Sequence, residues 1–418
     1  MTRTTLLASG LVLALAALGV GLAVGTASSG TTTHAQARTE AVAAAADAFL
    51  ATLDAGQRGR VQFDFDPKQA PAMANFPRGT PPARDAAPGQ GRDAEAAADS
   101  GRNKGEPAPG GRGGPGGPGG PGGPGMGPAG GFVGERYGQA VWSNYPVSDV
   151  PRPGLALGSL DAAQRAAAMH LLQTLLSPQG YRKVLDIMGS DQALSETGTN
   201  YASGTDHYTL GIFGQPGSGA PWMVQFGGHH LGLNVVIAGE HGVLTPTLTG
   251  AQPSLYSVDG RTVRVLAGEN DKAFALLDAL DDGQRKQAIL DYRVNDLVLG
   301  PGHSGETIVP EGLQASRMDA RQRKLLLAVI AEWAGIVDEA YAQPRMAQIE
   351  AGLDQTWFAW SGPTTHEPDR NGSAYYRIQG PRLLIEFSPQ GVGGDPTMHV
   401  HTVYRDPGND YGRAFTAQ

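Results

Sequence analysis

Residues 109–131 read PGGRGGPGGPGGPGGPGMGPAGG, and the wider stretch 67–134 is Pro, Gly, Ala, Arg and Asp with almost no large apolar side chain. Such a segment has too little surface to bury to offset the entropy of ordering its backbone. It is expected to be a disordered Gly/Pro-rich insert, leaving residues 38–66 and 135–418 to build a single globular domain. The GGP triplets are too short and irregular a run for a collagen helix. The chain holds 61 glycines and 30 prolines in 418 residues. That is roughly twice ordinary usage, and much of the excess lies in this stretch.

The amino terminus bears on where the domain works. Arg3 precedes an apolar run from Leu6 to Val24, and Ala35-Gln36-Ala37 offers a small-x-small cleavage site. Residues 1–37 are expected to be a signal peptide or, because the run approaches the ~20 residues of a membrane span, an uncleaved anchor. The domain is then periplasmic or secreted and meets a membrane only through that anchor. Lys+Arg 32 against Asp+Glu 40 gives −8 without a basic block, which argues against a nucleic-acid partner. There is no cysteine. Disulfides, thiolate zinc fingers, iron–sulfur clusters and Cys nucleophiles are excluded, so any metal must be held by nitrogen and oxygen.

Apolar periodicity predicts an amphipathic helix over Glu40–Asp54 and a half-buried strand over Val61–Asp66. Further helices are predicted from Ser159 or Asp161 to Leu176, over Gln179–Met188, Asp271–Leu280 and Asp282–Leu290, and as one long helix over Asp319–Tyr341, with Met346–Leu353 extending the layer. Strands are predicted at Tyr208–Phe213, Trp222–Phe226, Leu231–Ile237, Thr262–Leu266, Ala374–Ile378, Arg382–Ser388 and Met398–Tyr404. Helices and strands in blocks favour an α+β fold, with largely antiparallel sheet under a helical layer. No internal repeat, P-loop, GxGxxG fingerprint or GxSxG elbow is evident, so nucleotide binding and the usual serine-hydrolase arrangement lack support.

The histidines gather in two places. His229 and His230 follow Gly227-Gly228, and His399 and His401 share a strand segment with Val400 between them. Residues two apart on a strand face the same way, so His399 and His401 can share one ion, and nitrogen ligation of this kind suits Zn, Cu or Fe. On a regular strand only His230 faces with Asn234; His229 points away unless the glycines bend the chain. Glu386 sits in an otherwise apolar strand, where a carboxylate is costly unless it pairs or binds a cation, and is the natural oxygen ligand or general base. Arg405 is a candidate clamp for a substrate carboxylate or phosphate, and Asp406 and Asp410 for fixing an imidazole tautomer. Each has a plainer reading: turn or core histidines, a carboxylate answering Arg377 or Arg382, and an Arg405–Asp406 loop staple. His207, His241, His303 and His366 read as surface residues.

Several of these stretches resemble signatures of the DUF3500 family: Gly227–Asn234, Thr245-Pro246-Thr247, Gly268–Ala273, Thr356–Trp360, Tyr375–Pro381, His399–Pro407 and Asn409–Gly412. The resemblance runs from about Glu40 to Tyr411, interrupted by the Gly/Pro insert. It implies one linked unit of undefined function and supplies no catalytic residues.

Three functions stay open. The first is an exported metal-binding protein with a divalent transition ion on His230, His399, His401 and Glu386, and with His229, Glu386 and Arg405 as catalytic groups of a hydrolase or oxidase. The second is a non-catalytic binding protein for a small acidic or sugar-like ligand, with a pocket walled by Trp357, Trp360, Tyr375 and Tyr376. The third is a structural envelope protein whose polar clusters only staple loops.

Overall fold

Four helices begin with the same device. Asp54, Asp161, Asp281 and Asp319 each accept the backbone N–H of a glutamine three residues on, whose side chain bonds back to the aspartate's own N–H. This capping box satisfies donors that a helix start leaves open. The glutamines then meet in pairs, Gln164 donating to Gln57 at 2.9 Å and Gln322 to Gln284 at 2.7 Å.

That pairing reflects a fold built twice, seen in a computed structural model that describes residues 33–77 and 131–416 apart from Asn200 and Ala202. In the first half, helices His34–Ala51, Ala55–Val61, Ala162–Leu175 and Pro178–Glu196 precede strands Thr209–Phe213, Trp222–Gly227, Leu231–Ala238 and Thr247–Ala251. In the second, Ala267–Asp278, Asp282–Ala288, Ala320–Ala334 and Glu339–Ala351 precede Trp357–Ser361, Tyr375–Gly380, Leu383–Pro389 and Val400–Arg405. The registers agree: Leu155 pairs with Leu210 as Leu313 does with Phe358, and Val224 with Val235 as Tyr376 does with Phe387. Gln62 runs parallel to Ile212, and Ile289 parallel to Trp360. The expectation of no internal repeat is thereby corrected. The halves share geometry and caps while sharing few residues, and the insert falls in only one of them.

The halves join edge to edge. Thr247–Ala251 lies antiparallel to Val400–Arg405, so one mostly antiparallel sheet runs from Gln62–Phe63 to Leu313–Gln314. Across the same joint, Thr249 Oγ1 and Thr402 Oγ1 lie 2.6 Å apart and Leu176 bridges to Val337. Strand side chains alternate: Leu231, Leu233, Val235 and Ile237 enter the core under the helices, while Val236 packs with Met223, Phe213 and Tyr411 on the other face. A three-stranded meander, Ala72–Phe76, Phe132–Tyr137 and Ala140–Trp142, supplies Tyr137 and Ala140 to that second face. The α+β expectation holds.

Three local expectations change. Gly335 closes the helix Ala320–Ala334 and Asp338 caps the next, so the long helix over Asp319–Tyr341 is two. Thr247–Ala251 and Trp357–Ser361 are strands too short and irregular in pattern to read beforehand. Both margins of the expected disordered insert are strands, Ala72–Phe76 pairing with Phe132–Tyr137; residues 78–130, like the expected signal or anchor in 1–32, lie outside the described residues. The helix His34–Ala51 begins inside the expected signal segment, and its Arg38 pairs with Asp338 at 2.8 Å. No helix among the described residues is long and apolar enough to cross a membrane.

Phe76 faces Phe132, so the chain leaves and re-enters the meander at neighbouring points. Replacing residues 78–130 with a turn of about five residues is expected to raise Tm by about 3–5 °C in scanning calorimetry, because a roughly tenfold shorter loop recovers only about 2 kcal/mol of closure entropy.

Candidate metal centre

Gly227 pairs with Gly232, and Gly228 N–H donates to Leu231 O at 2.9 Å, so His229 and His230 form the tip of a two-residue hairpin loop. The glycines do bend the chain. The two rings lie side by side, 3.8 Å between centroids, instead of pointing to opposite faces. His401 approaches from the strand Val400–Arg405 at the centre of the sheet and His399 from the residue before it, their Nε2 atoms 3.1 Å apart, and His399 Nε2 lies 3.3 Å from His230 Nε2. Ligand atoms of all three fall within 4.8 Å of one another. Gly250 makes room, since a Cβ there would stand 3.2 Å from His230 Cδ2 and 3.3 Å from His401 Cδ2.

Each outer nitrogen is engaged. Asp191 Oδ1 lies 2.5 Å from His230 Nδ1, and Val392 O lies 2.9 Å from His399 Nδ1. A carbonyl only accepts, so Nδ1 of His399 carries its proton; the carboxylate holds His230 in the same tautomer. Both Nε2 atoms then present lone pairs, and no proton can lie between them at 3.3 Å. His401 Nδ1 meets the Asn144 amide nitrogen at 3.4 Å. Turning that amide over lets Asn144 accept instead and gives the third imidazole the same polarity. A tetrahedral ion bonded to nitrogen at about 2.0–2.1 Å requires neighbouring donors about 3.3 Å apart. The two spacings made by His399 match, and the ligand atoms of the third pair, His230 and His401, lie within 4.8 Å.

Burial keeps the rings of His399, His401 and His229 neutral and available. It is the first cause holding His399 down to about 3, with His230 next to it adding to the effect, and the first cause holding His229 and His401 well below the usual range. Asp191, itself fully buried, also receives the Tyr208 hydroxyl at 2.6 Å and His230 N–H at 3.3 Å. Arg152 closes the loop over the hairpin by donating to the carbonyls of Ser143, Tyr145, Val150 and Gly228. Its burial lowers its pKa to about 9.

Two residues assigned to the site stand elsewhere. Glu386 accepts from Val298 N–H at 2.9 Å, Leu299 N–H at 2.8 Å and the Tyr375 hydroxyl at 2.6 Å, so its carboxylate fastens a loop and is not among the clustered ligands. Arg405 is buried between Glu135 at 2.7 Å and Asp410 at 3.0 Å, with Gly300 O at 2.8 Å, which leaves no face for a substrate. Asp406 binds Arg345 and Arg382, so neither it nor Asp410 orients an imidazole; Asp191, which nothing in the sequence marked, does. His229 is beside the cluster, with Nδ1 buried and meeting no partner among the described residues. The aromatic pocket wall does not form either, because Trp360 stacks on Tyr376, 6.0 Å between centroids, within the helical core.

Asp191→Asn keeps the shape and removes the charged acceptor, so metal affinity is expected to fall about 10–100-fold in competition with a chromophoric chelator. In chelator-treated protein the unfolded state takes up protons at His399 before the folded state does. Stability is then complete above about pH 6.5 and declines toward pH 3, which urea midpoints from pH 7 to 4 will show as a limb that flattens in His399→Gln.

No curated protein and no solved structure matches the chain. Residues 134–413, which include every histidine of the cluster, match the family described as "Protein of unknown function (DUF3500)", and the chain belongs to that family.

Proposed function

We propose that this chain is an exported metalloprotein in which His230, His399 and His401 hold one divalent transition ion with a position left open for water or substrate. The observation that carries it is the convergence of Nε2 atoms 3.1 and 3.3 Å apart with their outer nitrogens already engaged. Asp191 lies with His229 and His230 as a second group of candidate ligands, but its carboxylate is taken by the Tyr208 hydroxyl and His230 Nδ1, as Glu386 is by its loop. The three imidazoles therefore favour zinc and a hydrolytic reaction over a two-His, one-carboxylate iron site. Zinc at such a site lowers the pKa of a bound water to about 7. His229 is the nearest unused imidazole to hydrogen-bond whatever fills the open position. Copper on the same ligands supports oxygen chemistry instead, and metal analysis separates the two. Export rests on the amino-terminal pattern of Arg3, the apolar run and Ala35-Gln36-Ala37.

Elemental analysis of protein expressed in a periplasm and purified without chelator is expected to give about one zinc per chain. His401→Ala and His399→Ala each reduce this below about a tenth while retaining the parent circular-dichroism spectrum. Metal-free parent protein, or variants that keep full occupancy, overturns the assignment.

A further inference from the structure

The three clustered imidazoles are not held alike. His230 has the fully buried Asp191 carboxylate behind it. His401 sits within a strand paired on both sides, opposite Ser388 and opposite Gly250. His399 precedes that strand, and its carbonyl accepts the Gln390 N–H at 2.8 Å. The acceptor behind its ring differs in kind as well. It is the carbonyl of Val392, whose side chain is 62 % exposed, in a loop tip, Gly391 to Gly394, that is exposed throughout.

Besides the contact to His399, the bond that closes this tip among the described residues is Gly394 N–H to Gly391 O at 3.2 Å. Gly393 and Gly394 take φ of +98° and +92°. The base is firmer. Asp395 pairs with Arg370 at 2.7 Å and accepts the Thr397 N–H at 2.9 Å, while Ser254 N–H donates to Met398 O at 2.9 Å. The tip can therefore lift while both of its ends stay in place. Lifting removes the acceptor of the His399 Nδ1 proton, the bond that fixes the direction and tautomer of that ring. Because no clustered ligand is more than 5 % exposed, an ion cannot reach the closed centre without such a movement.

We propose that residues 391–394 are the door of the metal centre and that His399 is its exchangeable ligand. When the tip lifts, His399 swings out and the ion passes on that side, held meanwhile by His230 and His401. The Val392 carbonyl is the positioning group that returns the ring. The door rests on the three-imidazole centre proposed above and adds its route of exchange.

Gly394→Ala tests it, because a Cβ there meets nothing within 4 Å and the burden falls on the left-handed backbone of the closed tip alone. Gly239→Ala is the control. Its φ is +59°, its surroundings are equally open, and it follows the strand Leu231–Ala238 at the end far from His230. Zinc-loaded full chain is mixed with a chromophoric chelator, at concentrations where the rate has levelled off, and zinc uptake by the metal-free chain is timed separately. Gly394→Ala is expected to speed both release and uptake about fivefold or more, with Kd within about twofold of the parent because the closed tip still dominates. Gly239→Ala is expected to exchange at the parent rate. Parent rates in Gly394→Ala, equal acceleration in Gly239→Ala, or faster release without faster uptake each overturns the proposal. A parent chain that binds no zinc overturns the metal centre itself, and that result is read before any rate.

Discussion

The antiparallel seam between Thr247–Ala251 and Val400–Arg405 is the constraint on which the rest depends. It makes two half-sheets into one, and it sets His401 directly opposite Gly250. On its other side Thr249 pairs with Leu231, the residue that follows His230. Imidazoles more than 160 residues apart in the chain are thereby set against one glycine. A slip of one residue along this seam would turn His401 and Val403 to the helical side of the sheet and scatter the cluster. Hydroxyl contact between Thr249 and Thr402 and the Trp333 indole donating to Thr402 at 2.9 Å hold the register beneath the helices.

The polar groups that fasten the opposite face are separate from that cluster. Glu135 accepts from Arg405 and from the Tyr411 hydroxyl at 2.7 Å, and Asp410 takes the other edge of the guanidinium. Burial is the main cause raising Asp410 to about 6, against the pull of Arg405. This network ties the meander to the last strand and the C-terminal turn. Such a buried ion cluster is strongly disrupted by loss of one member, although its net contribution is modest. The charged side chains with the strongest claim on function by burial alone are here devoted to architecture.

Much of this was legible in the chain. The two-residue period around Val400 placed His399 and His401 on one face, and Gly227-Gly228 signalled the bend that brings His229 beside His230. The repeat was also written there: Leu53-Asp54 with Gln57-Arg58, Leu160-Asp161 with Gln164-Arg165, Leu280-Asp281 with Gln284-Arg285, and Met318-Asp319 with Gln322-Arg323. Read as four cap boxes in two pairs, they announce two copies. Asp191 was not legible, since it sits late in a helix whose pattern needs no carboxylate, and only tertiary packing carries it to His230. For Glu386 and Arg405, burial argued correctly that each has a partner; which partner is a property of the loop at 298–300 and of Glu135 on the strand Phe132–Tyr137, which no local pattern reveals.

Tandem fusion has a consequence for how the two halves differ. In a symmetric dimer of half-chains, any side chain acquired by one half would be present in both, and a metal ligand could not be gained on one side while the other changed purpose. Covalent linkage removes that obligation. His399 and His401 belong to one half alone, while the matching stretch of its twin, under the same backbone plan, is free to carry other residues.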